Sequence, residues 1–109
     1  MLQRMIRLSV MYPAIAGSQF NWDYYLNTHL EMSRRLLTPR GLVRLEIDRG
    51  LGSFPPGTPP PYHAVGHLFF HTIADMQNAL ADTAANFIAD ERNYTTVPSI
   101  VQFSEVVEV

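Results

Sequence analysis

Hydrophobic and polar residues alternate in four separate stretches of the chain. In residues 4–12 the side chains of Ile6, Leu8, Val10 and Tyr12 face one way, and the residues between them face the other. The same period of two recurs in residues 42–49, 62–71 and 99–109. Because successive side chains of a strand point to opposite faces of a sheet, this pattern predicts four β-strands.

The segment NWDYYLNTHLEMSRRLL, residues 21–37, has a helical period instead. Asn21 is a favourable N-cap, and Pro39 and Gly41 end the pattern. At about 100° per residue, nine residues share one broad arc: Trp22, Tyr25, Leu26, His29, Leu30, Met32, Ser33, Leu36 and Leu37. His29 lies near the centre of this arc, so its imidazole must give up water and needs an interior partner or a cavity.

A second helix is predicted after the third strand, where Thr72 and Asp75 form a capping box. Its expected buried stripe comprises Ile73, Met76, Leu80, Thr83, Ala84 and Phe87. Between the second and third strands, residues 50–61 hold five of the eight prolines, which predicts a stiff extended loop. The sequence leaves open whether this loop is a lid, an arm that reaches a partner, or a spacer.

The order strand, helix, strand, strand, helix, strand is that of an α+β, ferredoxin-like domain spanning residues 1–109. One four-stranded antiparallel sheet then carries both helices on one face. The other face is mixed and includes Met5 and Met11. A sheet with that much apolar area on its open side needs cover, so we expect a homodimer in which two sheets pack face to face as a dimeric barrel.

Composition and charge exclude several classes of function. The formal net charge of the 109-residue chain is -2, without a long run of one sign, which disfavours nucleic acid and anionic membranes as partners. No apolar stretch in the first 17 residues is long enough for a membrane span, and the chain has no cysteine, so a cytoplasmic location is expected. Phosphate-binding, serine-hydrolase and zinc-protease motifs are missing, and no cofactor or metal is expected.

His29 is the strongest candidate for chemistry. Burial lowers the pKa of an imidazole, which keeps it neutral and able to accept a proton near pH 7. Tyr25, one helical turn earlier on the same face, could orient a substrate oxygen. The alternative is a structural histidine whose ring is satisfied by a strand carbonyl or by Ser33.

Three further histidines, His63, His67 and His71, share one face of the third strand. Residues four apart on a strand are roughly 13 Å apart, so these histidines cannot share one ion within a chain. His67, in mid-strand, is the candidate to meet His29 as an assisting catalytic residue, or else it lies in a dimer interface or at a barrel rim. Asp90 either orients a histidine or caps the following turn.

Several residues are candidates to line a binding site for a small apolar or aromatic metabolite. Aromatic lining suits such a ligand, although aromatic residues at these positions are also typical of a core. The candidates are Trp22, Ser33, Phe69, Phe87 and Asp90.

Two stretches also resemble a known family. WDYYLNTHLEMSRRL, followed by Gly41 and Leu42, resembles the first-helix motif of the EthD family, named for ethyl tert-butyl ether degradation, in which a tyrosine pair precedes a histidine. IADERNYTTVPSIVQFSEV is similar to that family's second-helix exit and last strand. One departure is Leu30, where the family commonly has proline.

The resemblance implies a dimeric α+β barrel of the ferredoxin-like kind. Wider relatives of such barrels hold a small apolar or aromatic molecule and include polyketide cyclases, muconolactone isomerases and cofactor-free monooxygenases. The family's namesake is linked to an ether-degrading oxygenase system, and a loose oxidoreductase label is attached to the family. Two functions therefore remain open: a cofactor-free enzyme that uses His29 with Tyr25 or His67, and a non-catalytic accessory or carrier protein for an oxygenase pathway.

Overall fold

The computed structural model describes residues 4–109, so the first three residues of the predicted domain lie outside the described part. Four strands and two helices follow in the predicted order. The strands are β1 (Ile6–Pro13), β2 (Arg44–Arg49), β3 (Tyr62–Phe70) and β4 (Ile100–Glu105). The helices are α1 (residues 22–37), followed by a 3-10 turn at Thr38–Arg40, and α2 (Ile73–Glu91).

The four strands form one antiparallel sheet in the order β2-β3-β1-β4, which confirms the ferredoxin-like α+β fold. The face that carries the helices presents Ile6 and Leu8 from β1 and Leu68 and Phe70 from β3. These residues pack on Leu37 of α1 and on Met76 and Ala79 of α2 in one buried cluster. Their alternation along the strands is the pattern that the sequence carries, because one face of each strand must leave water.

Helix α1 is interrupted by one π-helical turn that ends at His29. Trp22–Tyr24 and Leu30–Leu37 are α-helical, whereas Tyr25–His29 is a π-helix in which the amide of Leu30 donates to the carbonyl of Tyr25. The side chain of Asn21 accepts a hydrogen bond from the amide of Tyr24 and caps the helix, as predicted. A π turn adds a residue to the turn and rotates the positions within it. Leu26 is consequently 40% exposed, and its prediction as a buried residue was wrong.

Helix α2 begins as predicted, with the hydroxyl of Thr72 accepting from the amide of Asp75. Ile73, predicted as buried, is 44% exposed because it lies in the first turn, before the helix reaches the sheet. Strand β4 ends at Glu105, so Val107 and Val109 lie beyond it and are exposed. Among the residues that the structure describes, no helix is both long and apolar enough to cross a membrane.

The proline-rich segment 50–61 forms neither helix nor strand, as predicted. Its two ends are held by backbone hydrogen bonds from Gly50 to His63 and from Ala14 to Pro61. None of its residues lines the cavity described below. The geometry therefore gives no support to the interpretation of this loop as a lid on that cavity.

Candidate functional site

A cavity of about 190 Å³ lies between the helix-bearing face of the sheet and the two helices. Its walls are mostly apolar and are contributed by every strand and both helices, including Leu8, Val10, Leu45, Leu68, Leu80 and Phe87. The polar side chains among its lining residues are His29, Ser33, Glu91, Ser99 and the tyrosines at positions 12, 25 and 94. An apolar chamber with a few convergent polar groups is the usual form of a small-molecule site.

His29 lies in the wall of this cavity, only 6% exposed, at the end of the π turn. Its Nδ1 is 2.9 Å from Oδ2 of Asp90, in the last turn of α2. Its Nε2 is 3.3 Å from the hydroxyl of Tyr94, just after α2. Both ring nitrogens are thus satisfied by side chains, so the predicted structural alternative of a strand carbonyl or Ser33 as partner was wrong. Ser33 instead donates to the backbone carbonyl of His29.

Asp90 is itself held by two further side chains. The hydroxyl of Tyr24 donates to Oδ1 of Asp90 at 2.5 Å, and the side-chain amide of Asn93 donates to the same oxygen at 3.0 Å. Partial burial raises the pKa of Asp90, but the hydrogen bonds from Tyr24, His29 and Asn93 outweigh this and place it below its usual value. Asp90 is therefore ionised and accepts a hydrogen bond from the ring of His29. It thus orients a histidine, which is one of the two roles that the sequence suggested for it.

The protonation state of His29 follows from these contacts. Burial lowers its pKa, and the hydrogen bond and charge of Asp90 oppose but do not cancel that effect. The ring is therefore neutral near pH 7. A neutral imidazole has one N–H, and the carboxylate of Asp90 places it on Nδ1. Nε2 is left as an acceptor, and the hydroxyl of Tyr94 donates to it.

Tyr94 connects His29 to the sheet. Its hydroxyl is 2.8 Å from that of Tyr12 on β1. Since the Tyr94 hydrogen is directed at Nε2 of His29, Tyr12 must be the donor in this second contact. Burial raises the pKa of both tyrosines well above the usual value, so both stay protonated at all physiological pH values. The backbone carbonyl of Tyr94 accepts from the amide of Asn21, which ties this loop to the start of α1.

Tyr25 and Phe87 complete the surroundings of the imidazole. The ring of Tyr25 stacks on that of His29 with 5.6 Å between centroids, and Phe87 meets the imidazole edge-on at 5.8 Å. The hydroxyl of Tyr25 reaches the sheet at Gly66, where a Cβ atom would lie only 2.9 Å from the phenolic oxygen. Gly66 is therefore a position of close approach, and any larger residue there displaces Tyr25.

Four of the predicted site residues do not line the cavity: Asp90, which contacts His29 without being part of the cavity lining, and His67, Phe69 and Trp22. His67 does not reach His29, because it lies on the opposite face of the sheet, where its ring bonds to Ser9 at 3.2 Å and to Asp48 at 2.8 Å. Phe69 shares that face and is covered by the guanidinium of Arg44, 4.1 Å from the ring centroid. Since side chains alternate along β3, the residues facing the cavity are the neighbours of these two, Gly66 and Leu68.

Trp22, also predicted to bind substrate, is not among the residues that line the cavity. It packs on Phe20 and lies 4.1 Å from the guanidinium of Arg49. The other two histidines predicted for the third strand do not line the cavity either: His63 contacts Ser18, and His71 lies just beyond the end of β3. Within residues 4–109, no group of three or more His, Cys, Asp or Glu side chains is arranged to hold a metal ion.

Sequence reasoning missed four contributors to the site: Tyr12, Tyr24, Asn93 and Tyr94. Tyr12 was assigned only to the buried side of the first strand, and the only sign of Asn93 and Tyr94 was the similarity of the segment IADERNY to the second-helix exit of the EthD family. Tyr24, Asn93 and Tyr94 bond directly to His29 or Asp90, and Tyr12 bonds to Tyr94. The carboxylate, imidazole and phenols therefore form one continuous hydrogen-bonded chain, in which His29, Tyr94 and Tyr12 line the cavity.

Comparison with known proteins places this site in a family. The model of the EthD domain matches residues 17–98. An EthD-like protein from Ralstonia eutropha JMP134 is 29% identical, with a TM-score of 0.88 over 98% of this chain and 96% of that one. An ethyl tert-butyl ether degradation (EthD) family protein from Bacillus halodurans C-125 has the same fold, with a TM-score of 0.74 at 18% identity over 94% of this chain and 99% of that one. Comparison with curated proteins finds no match. Because the family model spans most of the chain and includes His29, Asp90 and Tyr94, the protein belongs to the EthD family.

Proposed function

We propose that this protein binds a small apolar or aromatic molecule in its cavity and uses His29 as a cofactor-free acid/base group on that molecule. The observation that carries the proposal is the position of His29, in the wall of an apolar chamber and between a carboxylate and a phenol. A structural histidine needs partners, but it does not need a cavity beside it. The pairing of a neutral imidazole with an ionised Asp90 is the arrangement expected of a general base.

The geometry supports a proton transfer that passes through Tyr94. A ligand hydroxyl or acidic C–H gives its proton to the phenolic oxygen of Tyr94, whose own proton moves to Nε2 of His29. The imidazolium that forms keeps its other N–H on Asp90, whose negative charge stabilises it. The ligand is left as a phenolate, enolate or carbanion. Such an anion is the common first intermediate of isomerisation, aldol-type cyclisation and attack on molecular oxygen, the three reaction types considered for this chain.

One observation favours a second candidate, a non-catalytic carrier or accessory protein for an oxygenase degradation pathway. Nε2 of His29 is capped by Tyr94 and does not present a free lone pair to the cavity. In a carrier, the same chain of phenols and imidazole serves only to hold the ligand. The two functions differ in whether the imidazole is needed for turnover or only for affinity.

The test starts from the purified protein and a panel of small phenolic and β-dicarbonyl compounds, with binding measured by calorimetry and turnover by product formation. The key variant is His29→Asn, with the exposed His71→Asn as its matched control. An enzyme loses turnover in His29→Asn but keeps ligand affinity within a few-fold. A compound that binds the wild type without being converted, in the presence of oxygen, supports the carrier. Failure of every compound to bind contradicts both functions.

We also propose that the protein is a homodimer that pairs the open faces of two sheets. The open face presents Met11, Val65 and Ile100 in one row across three strands, beside the polar row that contains Ser9 and His67. Light scattering after size-exclusion chromatography should give twice the mass of the 12.4 kDa chain. Val65→Glu should shift the mass towards the monomer, whereas Ile15→Glu, in an exposed loop, should not. A monomeric wild type contradicts this proposal.

A further inference from the structure

We infer that the molecule held in this cavity is an uncharged, single-ring compound whose hydroxyl group donates a hydrogen bond to the tyrosine and imidazole chain: a phenol or the enol form of a cyclic carbonyl compound. The inference rests on the proposed function in one respect, that the cavity is a binding site. It goes further by assigning the charge, the size and the hydrogen-bonding sense of the ligand.

The first restriction is charge. No lysine or arginine is among the described residues that line the cavity, and the imidazole of His29 is neutral. The one lining carboxylate, that of Glu91, adds negative charge beside the site. A carboxylate or phosphate ligand would give up its hydration with no cation to receive it, which is strongly unfavourable in an apolar chamber. The ligand is therefore uncharged when it enters.

The second restriction comes from the hydrogen-bond donors of His29 and of the two phenols that are bonded in series to it, Tyr94 and Tyr12. Asp90 fixes the imidazole proton on Nδ1, directed away from the ligand. The Tyr94 hydrogen is directed at Nε2, and the Tyr12 hydrogen is directed at Tyr94. The hydroxyl of Tyr25 reaches the sheet and lies against Gly66. The hydrogens of His29, Tyr94 and Tyr12 are already committed within the protein.

The serines that line the cavity are committed in the same way. The hydroxyl of Ser33 donates to the carbonyl of His29 at 3.0 Å, and that of Ser99 donates to Glu91 at 3.0 Å. Unused acceptor lone pairs but no unused donor therefore remain on four lining side chains, Tyr12, Ser33, Tyr94 and Ser99. An ether or ketone oxygen placed against the Tyr94 hydroxyl would face only other acceptors, whereas a ligand hydroxyl group would find a partner there.

The third restriction is size. The cavity volume is about 190 Å³. An engineered apolar cavity of about 150 Å³ holds benzene. The present chamber therefore accommodates one ring with one or two small substituents, and the mostly apolar lining suits the ring itself.

The decisive experiment compares two isomers, para-cresol and anisole, and adds benzoate as a charged ring of similar size. The two isomers have the same atoms and nearly the same volume, but only para-cresol has a hydroxyl hydrogen to donate. Dissociation constants are measured by calorimetry with the wild-type protein. We expect para-cresol to bind about tenfold or more tightly than anisole, and benzoate to bind more weakly than either.

The position of the ligand is checked with a cavity-filling variant. Ala84 lines the cavity and the adjacent Ala85 is exposed, so Ala84→Phe should abolish para-cresol binding and Ala85→Phe should preserve it. Circular dichroism confirms that each variant is folded, and the wild-type isomer comparison does not depend on either variant.

The outcomes separate this inference from the proposed function. Anisole or benzoate binding as tightly as para-cresol in the cavity overturns the hydroxyl-donor inference but leaves a ligand-binding function standing. Equal binding of para-cresol by a folded Ala84→Phe variant overturns it as well, because the ligand would then lie elsewhere. If none of the three ring compounds, nor any member of the wider panel, binds, the proposed function fails and the inference fails with it.

Discussion

Oδ2 of Asp90 lies 2.9 Å from Nδ1 of His29, and this contact joins the last turn of α2 to the π turn of α1 across 61 positions of sequence. It decides which nitrogen of the imidazole carries the proton and therefore what the ring offers to the cavity. Because Asp90 also accepts from Tyr24 and Asn93, its carboxylate is fixed in place before any ligand arrives. Preorganisation of this kind is what an acid/base site requires.

The first prediction concerns the charge of Asp90. Asp90→Asn removes the hydrogen bond and charge that raise the pKa of His29, while the burial that lowers it remains. The pKa of His29 should therefore fall further below its usual value of 6.5. The measurement is an NMR titration of the labelled imidazole. Asp82→Asn, on the exposed side of the same helix, is the control and should leave the His29 titration unchanged. An increase of the His29 pKa in Asp90→Asn contradicts the assignment.

The second prediction concerns the free energy of unfolding as a function of pH. The pKa of His29 in the folded protein lies below 6.5, the usual value that applies to the unfolded chain. At a pH between the folded and the unfolded pKa, the unfolded chain therefore binds more protons than the folded one. Stability is therefore lost as the pH falls below about 6.5 and is regained as it rises. Asp90, with a folded pKa below 3.8, adds a further loss as the pH falls through that more acidic window.

Urea denaturation at a series of pH values measures this dependence. His29→Asn should flatten the profile between neutral pH and mild acid, and His71→Asn should not. A His29→Asn profile as steep as that of the wild type would show that another group is responsible.

The third prediction compares the two hydrogen-bonded phenols. Tyr94→Phe leaves Nε2 of His29 without its donor and Tyr12 without its acceptor, so it should cost about 1–3 kcal/mol of unfolding free energy. Tyr12→Phe removes only the contact at the end of the chain and should cost less, about 1 kcal/mol. Both variants keep the aromatic packing, which isolates the hydroxyl groups. Equal costs, or a larger cost for Tyr12→Phe, would contradict the direction of the chain from Tyr12 through Tyr94 to His29.

The fourth prediction concerns Gly66. A methyl group there would lie 2.9 Å from the Tyr25 hydroxyl and 3.6 Å from Ile47, so Gly66→Ala should displace Tyr25 and cost about 1–3 kcal/mol. Because Gly66 and Tyr25 both line the cavity, ligand affinity should fall as well. Gly52→Ala is the control, since the nearest atom there is 3.5 Å away, an ordinary contact. A Gly66→Ala variant with wild-type stability and affinity would mean that Tyr25 has room to move.

The fold could be predicted from the sequence because its signals are local. Alternation along the strands, the Asn21 and Thr72 caps and the proline-rich segment each involve neighbouring residues, and their order is sufficient to specify a ferredoxin-like domain. The burial of His29 also followed from helical periodicity. Leu26 shows where periodicity fails, because a single π turn changes the period and has no signature in the residues that form it.

The partners of His29 could not be derived from periodicity because they are distant in sequence. Tyr12 and Tyr94 are 82 positions apart, and nothing in the spacing of either indicates the other. His67 is the opposite case, a contact that was predicted from the sequence but is not formed. Its position in mid-strand suggested a meeting with His29, but its register places it beside Ser9 on the far face of the sheet. Side chains alternate between the two faces of a sheet along each strand. Because Gly66 and Leu68 face the cavity, His67, which lies between them in the sequence, faces away from it.

The most direct test of the central claim is an NMR measurement of the His29 ring nitrogens near neutral pH, with and without para-cresol. We predict a neutral ring with its proton on Nδ1, and an Nε2 resonance that shifts when the ligand donates to Tyr94 and thereby strengthens the Tyr94 hydrogen bond. A ring protonated on Nε2, or one whose resonances ignore saturating para-cresol, would contradict the claim that His29 is oriented by Asp90 to act on a molecule in the cavity.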